Sequence, residues 1–416
     1  MPPLRPHQAP RCSWVHTLAR GAVVSAVAAL AVVLSGCQDE ATSPQPAEPG
    51  AQLAVATQAA LSFRQVSMGH LYSCGVTTDD RAYCWGYNGA GQLGDGTTTE
   101  RTRPTAVAGG LRFRQVSASL SHTCGLTTDD RAYCWGSNQD GELGDGTTLA
   151  RSTPVAVLAG QRYRQITAGG SHTCAVNRYD RAFCWGAGGG GQLGDGTNTS
   201  RRTPVRIQHG ELRFSRISAG AQYTCAVTTT NRAYCWGVNS NGQLGDRTKT
   251  WRSAPTAVFG GLSFRQVSAS TNHTCGVTTD DLAYCWGANF SRELGDGSDW
   301  PRKLRPAAVL GGLRFSAVSA GGGYSCGLGT NQRAYCWGTN GFGRLGTGDN
   351  NSYPTPEPVE GDHRFVNLDA GTFHGCAVAT SNSAFCWGLN RHGQLGDGNG
   401  GEGVTSPTPV PVAGPS

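Results

Sequence analysis

Charged residues are scarce in this 416-residue chain, where Asp, Glu, Lys and Arg together make up 15% and only Lys249 and Lys303 are lysines. Surface helices carry a charged, solvated outer face, so this composition argues against a helical solenoid. The apolar run at residues 22–34 falls short of the roughly 18 residues that a membrane-spanning helix needs. There is no C-x2-C pair, P-loop, zinc-protease helix or EF-hand loop, so no such motif points to a metal, a cofactor or a catalytic centre. The formal charge of +6 falls to +3 once Arg5, Arg11 and Arg20 near the N-terminus are set aside. That is too weak a balance to argue for nucleic acid.

Repetition is what the chain has in abundance. A unit reading CGVTTDDRAYCWGYNGAGQLGDG from Cys74 to Gly96 recurs seven times at a spacing of 50 or 51 residues. A segment of about 50 residues cannot bury a core of its own, so the copies are expected to fold as one body over residues 61–416. The 61 glycines and 20 prolines suit short strands joined by turns. In one unit, residues 113–117, 123–127, 132–135 and 154–158 read as strands. The Gly-Glu-Leu-Gly-Asp-Gly segment between the last two reads as an irregular loop with Leu143 plugged inward. Four antiparallel strands per unit, seven times over, predict an all-β, seven-bladed β-propeller. Residues such as 52–55 are candidates to close the ring by joining the last blade.

Fourteen of the 16 cysteines form seven pairs ten positions apart: Cys74 with Cys84, Cys124 with Cys134, Cys174 with Cys184, Cys225 with Cys235, Cys275 with Cys285, Cys326 with Cys336 and Cys376 with Cys386. With three residues in the hairpin loop, Thr77 faces Arg81 and Cys74 faces Cys84, within disulfide range. An even count in an oxidising compartment makes disulfides the expectation. The rival, a metal held by each cysteine and the histidine two residues before it, such as His122, fails because Tyr72, Tyr223 and Tyr324 take that place in three copies.

The N-terminus is a separate object. Residues 1–20 hold three arginines and no acid, and the apolar run ends in Leu34-Ser35-Gly36-Cys37. The sequence LSGC resembles the lipobox of bacterial lipoproteins, which implies a signal peptide over residues 1–36 and lipidation of Cys37, with an ordinary secretory signal as the alternative. Residues 37–60 read as a flexible tether beginning at Cys37. Either way the repeats are expected outside the cytoplasm, lipid-anchored in a bacterial cell envelope.

The pattern Gly…His…Cys…Trp-Gly…Asn…Gly-Gln-Leu-Gly-Asp-Gly resembles the regulator-of-chromosome-condensation repeat and covers residues 63 to about 413. The resemblance implies a seven-bladed propeller. Arg247 and Thr347 depart from the pattern in copies four and six. The family includes guanine nucleotide exchange factors of a nuclear GTPase that also bind nucleosomes, and secreted bacterial propellers that bind and inhibit other proteins. The expected extracytoplasmic address favours the second kind.

Repeated residues read as scaffold. Asp95, Asp145, Asp195, Asp246, Asp296 and Asp397 follow Leu-Gly and signal turns, the Trp-Gly tryptophans fill space between blades, and the histidines satisfy a backbone partner inside each blade. Function is expected where the copies differ. Aromatic and basic residues break the pattern on copies four to six, giving a candidate protein-binding patch of Trp251, Arg252, Phe290, Trp300, Arg302, Phe342 and Tyr353. The expectation is a monomeric, membrane-tethered binding scaffold with an extracellular or periplasmic protein partner, no nucleic acid and no catalysis. An extracytoplasmic enzyme or a lectin acting at the propeller mouth is the alternative.

Overall fold

The computed structural model describes residues 60–416, apart from residues 159 and 209. Cys37, the leader, all but the last residue of the tether, and residues 52–55 lie outside the described residues. The described chain forms seven four-stranded antiparallel sheets, each with its strands adjacent in chain order. In blade one these are Phe63–Met68, Tyr72–Thr77, Ala82–Gly86 and Arg101–Ala106, running from the axis to the rim. No helix among the described residues is long and apolar enough to cross a membrane.

The central hairpin of each blade is set locally. The Thr77 N–H donates to the Arg81 carbonyl at 2.9 Å, and Asp80 sits at φ 66°. Asp and Asn tolerate that left-handed conformation, which is why Asp, Asn or Gln holds the position in every copy. Counting outward, Cys74 pairs directly with Cys84 in the ladder, and the same register recurs in the other six blades. Every expected pair is a disulfide with its Cα atoms 4.1 Å apart. Cys74 is bonded to Cys84, Cys124 to Cys134, Cys174 to Cys184 and Cys225 to Cys235. Likewise Cys275 is bonded to Cys285, Cys326 to Cys336 and Cys376 to Cys386.

The rim strand differs from its expected place. In copy two it spans Arg151–Ala156, not 154–158, and its ladder starts with Arg151 opposite Gly136. Pro154 looked like a strand start, but an edge strand has outward positions where no N–H is needed, so proline sits inside it.

The core lies between blades. One cluster joins Tyr72, Val76, Ala82 and Leu93 of blade one to Phe113, Val116 and Trp135 of blade two. Trp135 is fully buried and its indole N–H donates to the Gln92 carbonyl of the preceding blade at 2.9 Å. A methyl group on Gly94 would lie 2.6 Å from that indole nitrogen, so the glycine of Leu-Gly-Asp-Gly makes room for the neighbouring tryptophan. The histidines also bond across blades, which corrects the expectation of a partner inside each blade. His122 Nε2 meets Thr173 Oγ1 at 2.9 Å, and His172, His273 and His374 repeat this with Thr224, Ser325 and Ser73. Where tyrosine replaces histidine, as at Tyr72, the phenol donates to the His122 carbonyl of the next blade at 2.7 Å.

Among the described residues the ring closes without a shared strand. Blade seven takes its fourth strand from Thr405–Pro411 and meets blade one through side chains and through the Phe63 N–H, which donates to the Asn382 carbonyl at 2.7 Å. The Trp85 indole donates to the Gln394 carbonyl at 3.0 Å, and the Met68 N–H donates to Asp369 at 2.8 Å.

Gly86 of the Trp-Gly pair has φ +106°, and a Cβ there would stand 2.6 Å from both the Leu71 carbonyl oxygen and the Tyr72 Cα. Backbone atoms cannot swing away as a side-chain tip can. Gly86→Ala is expected to cost about 3 kcal/mol or more in denaturant unfolding; an unchanged midpoint would refute this account of the glycine.

Candidate functional site

Strand direction gives the propeller two unlike faces. The first strand runs from Phe63 to Met68, the second returns, the third runs out to Gly86, and the rim strand returns from Arg101. Residues 69–71 and the long loop 87–100 therefore share one face, here the loop face. The hairpin turns 78–81 and the connections 107–112 share the other, the turn face.

Both variable loops lie on the loop face, and they hold the expected aromatic residues in the open. Trp251, Phe290, Trp300 and Phe342 are 53%, 64%, 71% and 46% exposed. Trp251 is oriented by its indole N–H, which donates to Ser240 Oγ at 3.2 Å. The loop carrying Trp300 is held from below, where Asn289 Nδ2 donates to the Trp300 carbonyl at 2.9 Å. Among the described residues no ring contact joins Trp251, Phe290 and Trp300. They stand as separate projections on adjacent blades.

Three other residues of the expected patch are placed differently. Arg252 pairs with Asp246 at 3.0 Å, as Arg101 does with Asp95, Arg151 with Asp145 and Arg201 with Asp195. These aspartates are nearly buried and also accept from the following Thr, which makes the group a lock on the base of the loop. Burial alone would raise the carboxyl pKa of Asp246, but hydrogen bonds from Thr248 and Arg252 outweigh it and hold the group below the ordinary range. Tyr353 stands at the same place in blade six, its phenol donating to Asp349 at 2.7 Å. Arg302 is half-buried on the rim strand opposite Ala288, while Lys303 takes over the ion pair with Asp296 at 3.1 Å.

Phe342 is positioned by a group that sequence reasoning overlooked. It has φ 69°, a left-handed conformation that a bulky side chain rarely adopts. Its ring packs edge-on to Phe373 at 6.1 Å. The Arg344 guanidinium lies 5.6 Å from the Phe342 ring centre and 5.1 Å from that of Phe373. Arg344 is itself buried and donates to the carbonyls of Gly341, Gly322 and Thr372. The signal was present, because Arg344 stands where other copies have Gln or Glu before Leu-Gly. Leu149, 61% exposed on the corresponding loop of blade two, also escaped notice.

Two comparisons with known proteins bear on this geometry. The RCC1-like domain family pattern matches residues 115–415, and the regulator of chromosome condensation (RCC1) repeat matches residues 79–126 and, in a second form, 63–92. Among solved structures, human WBSCR16 is similar with a TM-score of 0.71 at 19% identity, covering 77% of this chain and 87% of that one. Prp20p from Saccharomyces cerevisiae, whose crystal structure was described together with its binding to Gsp1p and histones, is similar with a TM-score of 0.72 at 19% identity, covering 82% of this chain and 87% of that one. The CRINKLY WD40 ectodomain of the Arabidopsis thaliana receptor kinase ACR4 is similar with a TM-score of 0.52 at 21% identity, covering 79% of this chain and 98% of that one. At these identities the likeness is one of fold.

Proposed function

The chain belongs to the RCC1-like domain family, and from that premise we propose that it is an extracytoplasmic, membrane-tethered scaffold that captures a partner protein on its loop face without catalysing a reaction. The observation that carries this reading is the row of exposed aromatic residues, Trp251, Phe290, Trp300 and Phe342, on blades four to six. Exposed tryptophans held by hydrogen bonds at their bases lose little freedom on binding and remove much apolar area from water, as interface anchors do. The seven buried disulfides support an oxidising address, and the Leu34-Ser35-Gly36-Cys37 sequence supports a lipid anchor at Cys37. A propeller shared with Prp20p says nothing by itself about nucleotide exchange here, because fold does not carry function.

The test is capture from cell-surface extracts with oxidised residues 61–416 as bait. Joint replacement of Trp251 and Trp300 by alanine is expected to cut partner recovery by about tenfold or more, since each anchor contributes on the order of 2 kcal/mol. The thermal midpoint of the double variant should not move, because neither ring is part of the core. Undiminished recovery would sink the reading.

A further inference from the structure

The inner strands are stapled to one another by side chains in three layers, and the break in one layer leaves a cation without a partner among the described residues. Nearest the loop face, a hydroxyl or carboxylate from every blade accepts an N–H of the next, from Ser67 with the Ala118 N–H at 3.1 Å round to Asp369 with the Met68 N–H. In the middle layer, Gln65 donates to the Val116 carbonyl and accepts from the Val116 N–H, and Gln115 and Gln165 repeat this with Ile166 and Ile217. Nearest the turn face, Arg64, Arg114, Arg164 and Arg265 each pair with an aspartate of their own hairpin turn and donate to a carbonyl of the next blade. Those four guanidinium groups are neutralised.

Blade four keeps the first layer, where Ser218 accepts from the Ala269 N–H, and departs from the other two. Ser215 stands where blades one, two, three and five have their arginine and bonds within its own blade, as Ser316 does in blade six, and Arg216 stands in the glutamine position. The turn residue that would neutralise an arginine is Asn231, not aspartate. Arg216 is exposed, and among the described residues its side chain makes no ion pair or hydrogen bond. Among those residues, too, no fourth-blade side chain meets the Val267 N–H, which is the group a glutamine at position 216 would address. Arg216 borders a cavity of about 730 Å³ at the turn-face mouth, and both it and Val267 border a second of about 230 Å³ within the channel.

We propose that the turn-face mouth is a binding site for a carboxylate, seated on the Arg216 guanidinium and the Val267 N–H. A guanidinium offers a planar fork that matches a carboxylate, and a vacant main-chain N–H beside it adds a third donor. Among the described residues the mouth cavity is lined by Arg, Gln, Ser and Asn, with no acid to compete and no aromatic ring on which a base or sugar would stack. Its size suits a small organic acid or the carboxylate end of a peptide. Among the described residues that line the inner channel the one acid is Asp369, whose carboxylate is already engaged by the Met68 N–H and the Ser319 hydroxyl.

The probes are succinate, a tripeptide with a free C-terminal carboxylate, and the same tripeptide amidated, titrated calorimetrically into oxidised residues 61–416. Binding of succinate or of the free-acid tripeptide at millimolar concentration or below, weakened about tenfold or more by Arg216→Gln, is the expected result. Which of the two binds tells a small acid from a peptide end. That substitution restores the glutamine staple, so the variant should fold at least as well. The Trp251→Ala and Trp300→Ala double variant should bind the probes as the parent does, which separates this site from the loop face. Failure of both acids to bind, equal binding of the amide, or unchanged binding by Arg216→Gln would each overturn the proposal.

Discussion

Acidification to about pH 5 is expected to remove most of the stability of the folded ring. His122, His172, His273 and His374 are fully buried between blades, and burial pulls each imidazole pKa down from 6.5 to about 3; the charge on His122 adds to this at His172, and that on His70 adds to it at His374. The folded state thus binds fewer protons than the unfolded chain between those values. Its stability is complete above the unfolded pKa and falls as the pH drops through the window from 6.5 towards 3. At about pH 5 each histidine contributes a loss of ~2 kcal/mol, and four together ~8 kcal/mol, comparable with the whole stability of a typical domain. Asp369 and Glu293 act the other way. Burial raises both carboxyl pKa values, as it does that of the more exposed Asp140, which relieves the fold as the pH falls, but these are three carboxylates against four imidazoles.

The ring itself supplies the control. Blades one, four and six use Tyr72, Tyr223 and Tyr324 at the histidine position, so tyrosine fits there and does not titrate in this range. Replacing all four histidines by tyrosine should move the acid transition, followed by tryptophan fluorescence, down by a pH unit or more. A single His122→Tyr change should move it by a fraction of that. An acid midpoint that ignores the four replacements would show that the imidazoles are not what fails.

Loss of the disulfides is expected to be the other large effect. Each bridge closes a hairpin with a sequence separation of 10, which on the chain-entropy account contributes about 2.5 kcal/mol. Seven such contributions exceed the usual net stability of a domain. Protein unfolded and then diluted into reducing buffer should fail to regain its native fluorescence, while the oxidised chain refolds. Native protein should resist the same reductant at room temperature, because every one of these sulfurs is buried. Removing one bridge, through Cys225→Ala with Cys235→Ala, should lower the thermal midpoint by several degrees. Equal refolding with and without reductant would remove the bridges from the stability of the ring.

These outcomes depend on features of unequal visibility in the sequence. The hairpin was fully legible, because Thr77, Asp80 and Arg81 set its register within a few residues, and that register places Cys74 opposite Cys84. The number of blades followed from the repeat. What lies between blades was not legible in any single copy, since Gln65 meets Val116 and His122 meets Thr173 about one full repeat away. A glutamine in Phe-Arg-Gln-Val-Ser reads only as an outward strand position. Comparison down the copies carried more information than the run along them. Arg252 looked like part of an aromatic and basic cluster beside Trp251, yet it falls in one column with Arg101, Arg151 and Arg201, all paired to aspartate. The same comparison sets Arg216 apart, because it stands in a column otherwise held mostly by glutamine or asparagine.

The junction of blades seven and one repeats the chemistry of most other junctions: Trp85 donates to the Gln394 carbonyl as Trp135 does to that of Gln92. Among the described residues a ring made this way has no clasp. Parting it at that junction breaks the same kind of apolar layer and the same kinds of hydrogen bond as parting it anywhere else, without pulling a strand out of a sheet. Breathing of the ring should therefore be distributed around its circumference, with the place of opening governed by which junction has lost its staples and not by where the polypeptide happens to be discontinuous.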